Sequence, residues 1–110
     1  MVKFNFEYRG KKFNLDIFEC KNVFHKMSGL MFRKKSKSLL FIFNKKTRES
    51  IHSFFCVPFV AIWFNEGKIV DVKLVKPWKP YIVPGKDFDR LLEIPMSSKD
   101  FLRIKSSFNL

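Results

Sequence analysis

The sequence lacks a long apolar run, and this absence excludes a membrane-spanning helix. No apolar stretch reaches the ~18 residues that such a helix requires. A repeat with a period of about 20 to 50 residues and a low-complexity tract are also missing. With 110 residues and 46% hydrophobic side chains, the chain is too apolar for disorder and too short for two cores. We therefore interpret residues 1–110 as a single domain.

The sequence also lacks a recognisable export signal and has few cysteines. Residues 1–9 alternate charged or polar side chains with apolar ones and contain no continuous apolar stretch of the kind found in a secretory signal. We therefore expect a cytoplasmic protein, unless processing has already removed a leader. Cys20 and Cys56 are the two cysteines of the chain, and in the cytoplasm we expect reduced thiols rather than a disulfide.

Recognisable catalytic and cofactor motifs are absent. The chain has no glycine-rich phosphate loop, paired-carboxylate motif or metalloprotease helix. Cys20, His25, His52 and Cys56 are a complete ligand set for tetrahedral zinc. On an extended strand, however, His52 and Cys56 lie about 13 Å apart, too far for one ion unless a tight turn intervenes. Ser53 follows His52 directly, and neighbours on a strand point to opposite faces. We predict no metal and no cofactor, and we favour a protein that is not an enzyme, although an enzyme stays open.

What the sequence does contain is a series of short alternating segments. Residues 2–8 alternate apolar and polar side chains, and residues 13–17 do so again beyond a turn at Gly10 and Lys11. A period of two is typical of a strand with one buried face. We predict a hairpin over residues 2–19.

The middle of the chain changes its spacing twice. Between residues 22 and 28 the apolar side chains follow a helical spacing, which predicts one or two helical turns. The apolar runs 39–43 and 54–64 predict buried strands. Pro58 interrupts the second run and cannot donate to a sheet ladder, so we expect it at an edge, a bulge or a junction of two strand segments.

The C-terminal half also consists of short predicted strands separated by turns and a loop. A turn signal at residues 65–67 leads into alternation over 70–74, which predicts a second hairpin. Three prolines and a glycine make residues 76–87 a loop. Residues 90–95 predict one more strand, and residues 97–100 resemble a weak helix start. Six or seven short strands with one or two helical turns indicate a mainly-β barrel or sandwich.

Positive charge is concentrated in one quarter of the chain. The 22 Lys and Arg exceed the 10 Asp and Glu by 12, and residues 20–48 hold nine of the basic residues and none of the acidic ones. Such an excess is typical of a surface that binds the phosphates of nucleic acid or an anionic membrane surface. A solvated surface without a partner is the alternative. The basic side chains on either side of the predicted strand 39–43 form one stripe or two patches: Arg33, Lys34, Lys35, Lys37, Lys45, Lys46 and Arg48.

Aromatic side chains offer a second means of contacting nucleic acid. The chain contains fifteen Phe, but most of them fall on the inward side of the alternation. Phe32, Phe54 or Phe55, and Trp78 are placed to stack on single-stranded bases.

Several motifs together resemble a known family. Gly29-Leu30-Met31-Phe32-Arg33 is followed by apolar runs over 40–43 and 51–64, and then by Gly67-Lys68-Ile69-Val70 and Lys76-Pro77-Trp78. In combination, over about residues 23–96, these resemble the uncharacterised domain-of-unknown-function 192 family in its short, leaderless archaeal-type form. The resemblance implies a small β-rich barrel-like or sandwich fold and no assigned activity.

The chain also departs from the family pattern. Members usually carry Met where this chain has Cys56, Asp where it has Val60, and Gly near Ser97. The missing carboxylate at Val60 argues against chemistry or metal binding by that motif position here. Eight residues of the motif remain as a predicted pocket: Gly29, Leu30, Met31, Arg33, His52, Ser53, Phe54 and Pro58.

The predicted pocket has a plausible ligand chemistry. Met31 beside aromatic residues makes an adaptable apolar wall, Arg33 offers a planar donor fork for carboxylate or phosphate, and His52 can donate or accept near neutral pH. Such a mixture suits a small anionic ligand or a chain terminus. Alternatively, Leu30 and Met31 plug one end of a barrel while Arg33 binds backbone carbonyls.

Our interpretation is a non-catalytic binding module for an anionic partner, nucleic acid or another phosphate or carboxylate group. Segment 33–48 captures the partner, and Arg33 and His52 orient it. The alternative is an enzyme or small-molecule pocket protein built around Met31, Arg33, His52 and Phe54. A third possibility is an accessory subunit with an exposed apolar patch around Trp78 and residues 108–110. The oligomeric state is left open.

Overall fold

The fold is a single six-stranded sheet with one short helix. A computed structural model describes residues 2–21, 37–53 and 56–110, and the elements below belong to those ranges. The strands pair in the order β1-β2-β3-β6-β4-β5, which confirms the predicted mainly-β class. In chain order the elements are β1 (Val2–Tyr8), β2 (Lys11–Cys20), β3 (Ser38–Thr47), β4 (Phe59–Asn65), β5 (Lys68–Val75), β6 (Phe88–Pro95) and α1 (Phe101–Ser107).

Both predicted hairpins are confirmed, and both turn on two residues. The loops are Arg9–Gly10, with φ angles of 50° and 77°, and Glu66–Gly67, with φ angles of 51° and 80°. Two consecutive positive φ angles are the mark of the turn whose twist matches an antiparallel pair, and glycine tolerates that region without strain. The first turn therefore lies one residue earlier than the expected Gly10 and Lys11.

The last strand of the chain lies near the centre of the sheet. β6 pairs antiparallel with β3 on one side and with β4 on the other, so that Leu92 lies opposite both Leu40 and Ile62. β2 and β3 are parallel, with Ile17 opposite Ser38. The strand predicted over 90–95 is confirmed, but its place between two strands distant in sequence has no local signal.

Two other strands differ in extent from their apolar runs. β3 continues beyond the run 39–43 to Thr47, with an irregular register against β6 after Ile42. β4 begins at Phe59, so the expectation that this strand reaches back to residue 54 is wrong for residues 56–58. Pro58 directly precedes the strand, where its missing N–H interrupts no ladder, and its carbonyl accepts the Met96 N–H at 2.8 Å.

One face of the curled sheet encloses an apolar core. The Phe4 and Phe6 rings of β1 reach the Phe64 ring of β4, with centroids 5.4 and 5.6 Å apart. Phe101 and Ile104 of α1 close the same space. Burial of each large apolar side chain here contributes roughly 1.5–3 kcal/mol to folding. We call this set the inner cluster: Phe6, Phe13, Leu15, Ile17, Leu40, Val60, Ile62, Phe64, Leu92, Ile94, Phe101 and Ile104.

The opposite face of the central strands is buried as well. Every residue of β4 from Phe59 to Phe64 is buried, as expected for a strand covered on both sides. Loop 76–87 contributes Ile82 to this second core, and Ile51 and Ile82 exchange backbone hydrogen bonds of 2.9 Å. We call the set the outer cluster: Cys20, Leu39, Phe41, Phe59, Ala61, Trp63, Val75, Ile82, Phe88 and Leu91.

The helical content of the described residues is confined to the C-terminus. α1 starts after Asp100, close to the weak start predicted at 97–100, and the Asp100 side chain makes no capping hydrogen bond. The helical turns predicted over 22–28 lie outside the described residues. In the part of the chain that the structure describes, no helix is long and apolar enough to cross a membrane.

Candidate functional site

Three of the eight residues of the predicted pocket fall within the described ranges. His52, Ser53 and Pro58 are described, whereas Gly29, Leu30, Met31, Arg33 and Phe54 lie outside the described ranges, as do Lys34 and Lys35 of the basic segment. His52 is half-buried and directly precedes the fully buried Ser53. The pairing of Arg33 with His52 therefore stays a prediction.

Ser53 connects its own segment to the proline-rich loop. Its Oγ donates to the Lys76 carbonyl at 2.6 Å and accepts the Lys79 N–H at 2.8 Å. Its N–H donates to the Lys79 carbonyl at 2.9 Å, and its carbonyl accepts the Trp78 N–H at 3.0 Å. Every polar group of Ser53 is thus engaged within the protein. We interpret Ser53 as a clamp on the turn at residues 76–79 rather than as a ligand-binding group.

The clamped turn presents a tryptophan in an unusual backbone conformation. Trp78 has a φ of 65°, in the left-handed region that bulky residues rarely occupy and that costs about 1–3 kcal/mol. Its side chain is nevertheless 58% exposed. The hydrogen bonds from Ser53 offset this strain, and they hold the indole at the surface.

The described part of the predicted anion-binding surface separates into two patches. Lys37 precedes the first residue of β3, while Lys45 and Lys46 lie near its other end. A strand of ten residues is roughly 30 Å long, almost four times the ~8 Å over which physiological salt screens a charge. The two ends therefore act on a partner separately unless the partner is long enough to span both.

Two cations of this surface already have partners. Arg48 donates to the Gly85 carbonyl at 2.8 Å and lies 3.8 Å from the Asp87 carboxylate. Lys46 lies 3.5 Å from the Glu66 carboxylate. Exposed ion pairs of this kind contribute about 0–1 kcal/mol, so they leave the cations accessible to a stronger anion. Arg48 also fastens the end of loop 76–87 to β3.

A second basic surface escaped the sequence prediction. Between residues 72 and 86 the chain has four lysines and no acidic residue, a local excess that the seven acidic residues elsewhere in 49–110 offset. Asp71 just before this stretch accepts the Gly85 N–H at 2.9 Å. Three of the lysines line a groove of about 580 Å³, which we call the β5 groove: Lys73, Leu74, Val75, Lys76, Lys79, Tyr81, Ile82 and Val83.

A buried carboxyl also escaped the sequence prediction. Glu93 lies on β6 between Leu39 of β3 and Ala61 of β4, on the outer face, and is only 5% exposed. Burial in apolar surroundings raises the pKa of this carboxyl to about 8. The sequence does carry a signal for this burial, because Glu93 is the only charged residue in the otherwise apolar run 91–95.

Two other polar groups lie on the outer face, the Trp63 N–H and the Cys56 thiol. The Trp63 side chain is fully buried, and its Nε1 has no hydrogen-bond partner among the residues that the structure describes. Burial, with a smaller contribution from the Glu93 carboxylate, raises the pKa of the Cys56 thiol to about 11. The Cys56 thiol therefore stays protonated at neutral pH and is a poor nucleophile, in line with a packing role.

A metal centre finds no support in the described ranges. Within them, no three His, Cys, Asp or Glu side chains cluster closely enough to hold an ion. Cys20 is buried and Cys56 is half-buried, and the two do not form a disulfide with each other. His25, the fourth member of the possible zinc set, lies outside the described residues.

Comparison with known proteins identifies relatives along most of the chain. Residues 5–109 match the family model DUF192, described as an uncharacterised ACR. A UPF0127 protein of Pyrococcus furiosus is 30% identical over 101 residues, which cover 88% of this chain and 86% of that protein. A UPF0127 protein of Pyrococcus horikoshii is 35% identical over 79 residues, which cover 68% of each chain.

Two solved structures share the fold at low sequence identity. A protein of unknown function from Novosphingobium aromaticivorans superposes with a TM-score of 0.80 at 13% identity, covering 99% of this chain and 79% of that one. A candidate transcription regulator from Sinorhizobium meliloti gives a TM-score of 0.73 at 16% identity, covering 83% of this chain and 76% of that one. At these identities the likeness concerns the fold alone.

Proposed function

The chain belongs to the DUF192 family, which is described as uncharacterised, and from this premise we propose that it is a non-catalytic binding module for an anionic partner. Segment 33–48 supplies the first electrostatic contact, and Arg33 and His52 orient the bound group. Each phosphate that a lysine or arginine neutralises releases counterions, so the affinity falls as the salt concentration rises.

The difference between the acidic and the basic side chains supports this proposal. The acidic side chains are largely occupied within the protein: Asp16 lies 2.6 Å from Lys3, and Asp100 lies 3.1 Å from Arg103. The basic residues are more than twice as numerous, and those near β3 and β5 lie on the surface around two apolar cores. The net positive charge is therefore directed to solvent, where an anion can reach it.

Binding of labelled oligonucleotides at ~50 and ~200 mM salt tests the proposal. Nucleic acid is the first anion to test, because one structure of this fold is named a candidate transcription regulator. We expect the wild-type protein to bind, with an affinity that falls steeply as the salt concentration rises. A variant that combines Lys34→Glu, Lys35→Glu and Lys37→Glu should bind more weakly, and its affinity should depend less on salt.

A matched control changes the net charge by the same amount beside the two hairpin turns. The exposed Lys11, Lys12 and Lys68 are replaced together by Glu in a second variant. A loss shared by both variants reports on net charge, whereas an additional loss in the first variant reports on segment 33–48. Undiminished binding by the first variant contradicts the proposed role of this segment.

A second candidate function is a small-molecule pocket, favoured by the polar groups on the outer face. Glu93 and the Trp63 N–H are buried among apolar side chains, and Trp63 Nε1 has no hydrogen-bond partner among the described residues, so a bound molecule could supply one. Native mass spectrometry tests this candidate by seeking a co-purifying small molecule. Trp63→Phe removes the N–H and keeps an aromatic ring, so it should release such a molecule, and a ligand-free wild-type protein contradicts the candidate.

A further inference from the structure

The β5 groove combines an apolar floor with a basic rim. Val75 and Ile82 belong to the outer cluster and form the floor. Lys73, Lys76 and Lys79 stand along the groove, with Lys76 and Lys79 exposed. A single strand of nucleic acid has the complementary character, because its bases present flat apolar faces and its backbone carries regular negative charge.

Two large aromatic side chains of loop 76–87 have most of their area in solvent. Tyr81 lines the groove and is 74% exposed, and Trp78 lies in the adjoining turn. Both are planar and both carry a polar group, which is the character of residues that stack on bases. Exposed aromatics beside lysines recur in proteins that bind single strands without reading their sequence.

The backbone that carries these side chains is held in place before any partner arrives. The Ser53 clamp makes hydrogen bonds to residues 76, 78 and 79. Pro77, Pro80 and Pro84 fix their own φ angles, and the far end of the loop is tied to Arg48 and Asp71. A surface ordered in advance loses little conformational entropy on binding.

The same features argue against a duplex and against a bilayer. Duplex bases are stacked on one another, so a duplex offers phosphates to the lysines but no base faces to Tyr81 and Trp78. A segment that inserts into a membrane surface exposes a continuous apolar face, in which aliphatic side chains accompany aromatic ones. Between residues 72 and 86 the aliphatic side chains are buried or half-buried instead.

We propose that the β5 groove binds single-stranded nucleic acid, with Tyr81 and Trp78 stacking on bases and Lys73, Lys76 and Lys79 contacting phosphates. This inference rests on the proposed function, since it names the class of anion. It adds a binding surface whose lysines and aromatic residues lie outside segment 33–48 in the sequence.

Fluorescence anisotropy with a labelled oligothymidine, titrated with the full chain, tests the aromatic contribution. Tyr81→Ala should weaken binding roughly tenfold while leaving the affinity for inorganic polyphosphate unchanged, because polyphosphate has no bases. Trp78→Gly should act in the same direction, and glycine relieves the strain of the positive φ, so folding is preserved. Phe18→Ala removes a ring that is exposed on β2 and is the matched control.

The lysine contribution is tested by the salt dependence. Lys76→Gln combined with Lys79→Gln should lower the slope of log affinity against log salt by about two, one for each phosphate contact. Lys11→Gln with Lys12→Gln makes the same change at the opposite edge of the sheet. Unaltered slopes in the first variant, or equal changes in both, overturn the assignment of the phosphates to this groove.

The outcomes separate this inference from the proposed function. Absence of binding to oligothymidine and polyphosphate at low salt contradicts both. Salt-sensitive binding that survives every groove substitution but falls in the variant of Lys34, Lys35 and Lys37 contradicts this inference alone. Binding to vesicles containing phosphatidylserine that is lost in Tyr81→Ala, without binding to oligothymidine, overturns it in favour of a membrane surface.

Discussion

The two buried faces of the sheet differ in kind. The inner cluster is made of apolar side chains and is closed by β1 and α1. The outer face holds the Glu93 carboxyl and the Trp63 N–H among its apolar residues, and loop 76–87, clamped by Ser53, contributes Ile82 to it. The difference teaches that apolar packing dominates the inner face, where the buried polar side chain among the described residues is Ser38, whereas the outer face buries an ionisable carboxyl at a cost in free energy.

The largest effect is expected from the inner face. Phe64→Ala removes a buried ring that contacts Phe4 and Phe6, and it should lower the free energy of unfolding by about 3–5 kcal/mol. Urea denaturation followed by circular dichroism measures the change. Phe18→Ala, at an exposed position of β2, should cost much less, and equal losses in the two variants contradict a core role for Phe64.

The next effect is expected from the outer face and depends on pH. Because the folded pKa of Glu93 is raised to about 8, the folded state keeps a proton that the unfolded state releases above its ordinary pKa of 4.5. Stability should therefore fall as the pH rises from about 4.5 to 8. Each pKa unit corresponds to about 1.4 kcal/mol, so the total fall amounts to a few kcal/mol.

Glu93→Gln should remove this dependence. The amide is close in shape to the protonated carboxyl, and it does not ionise, so the variant should match the wild type near pH 5 and exceed its stability above pH 8. Denaturation at a series of pH values measures this. Glu49→Gln, at an exposed position, is the control, and parallel curves for Glu93→Gln and wild type contradict the buried-carboxyl interpretation.

A smaller effect is expected where the outer face meets its covering loop. Ser53→Ala leaves the Lys76 carbonyl and the Lys79 N–H without the Oγ partner, which should cost about 1–3 kcal/mol. Hydrogen exchange at the Trp78 and Lys79 amides should accelerate, since the turn is no longer clamped. Ser50→Ala, at an exposed position, should change neither quantity, and unaltered exchange in Ser53→Ala speaks against the clamp.

The smallest effect is expected from an exposed ion pair beside the inner face. The hydrogen bond from Lys3 lowers the pKa of Asp16, so the pair stabilises the fold above the ordinary pKa of 3.8 and the contribution is lost as the pH falls below it. The direction is opposite to that of Glu93. Asp16→Asn should barely change stability at neutral pH, and an NMR titration of the Asp16 carboxyl checks the direction of the shift.

The fold was largely predictable, and the candidate site only in part. Alternation and turn glycines predicted both hairpins, and the apolar runs predicted β3 and β4. The sequence motif singled out Ser53 as a pocket residue, but its hydrogen bonds to residues 76–79, which lie more than twenty positions away, had no local signal. Trp78 was singled out from the sequence, whereas Tyr81 and the four lysines of 72–86 were overlooked, because acidic residues elsewhere in 49–110 offset the local positive charge.

By itself the sequence determined the strands, their turns and the stiffness of loop 76–87. These features depend on neighbours in the chain: a side-chain period of two, glycines at positive φ and prolines with a fixed φ. Only the tertiary structure decided that β6 enters between β3 and β4 and that Glu93 is thereby buried between Leu39 and Ala61. The choice of strand partners and the polarity around a side chain are set by residues far apart in sequence, and no local pattern encodes them.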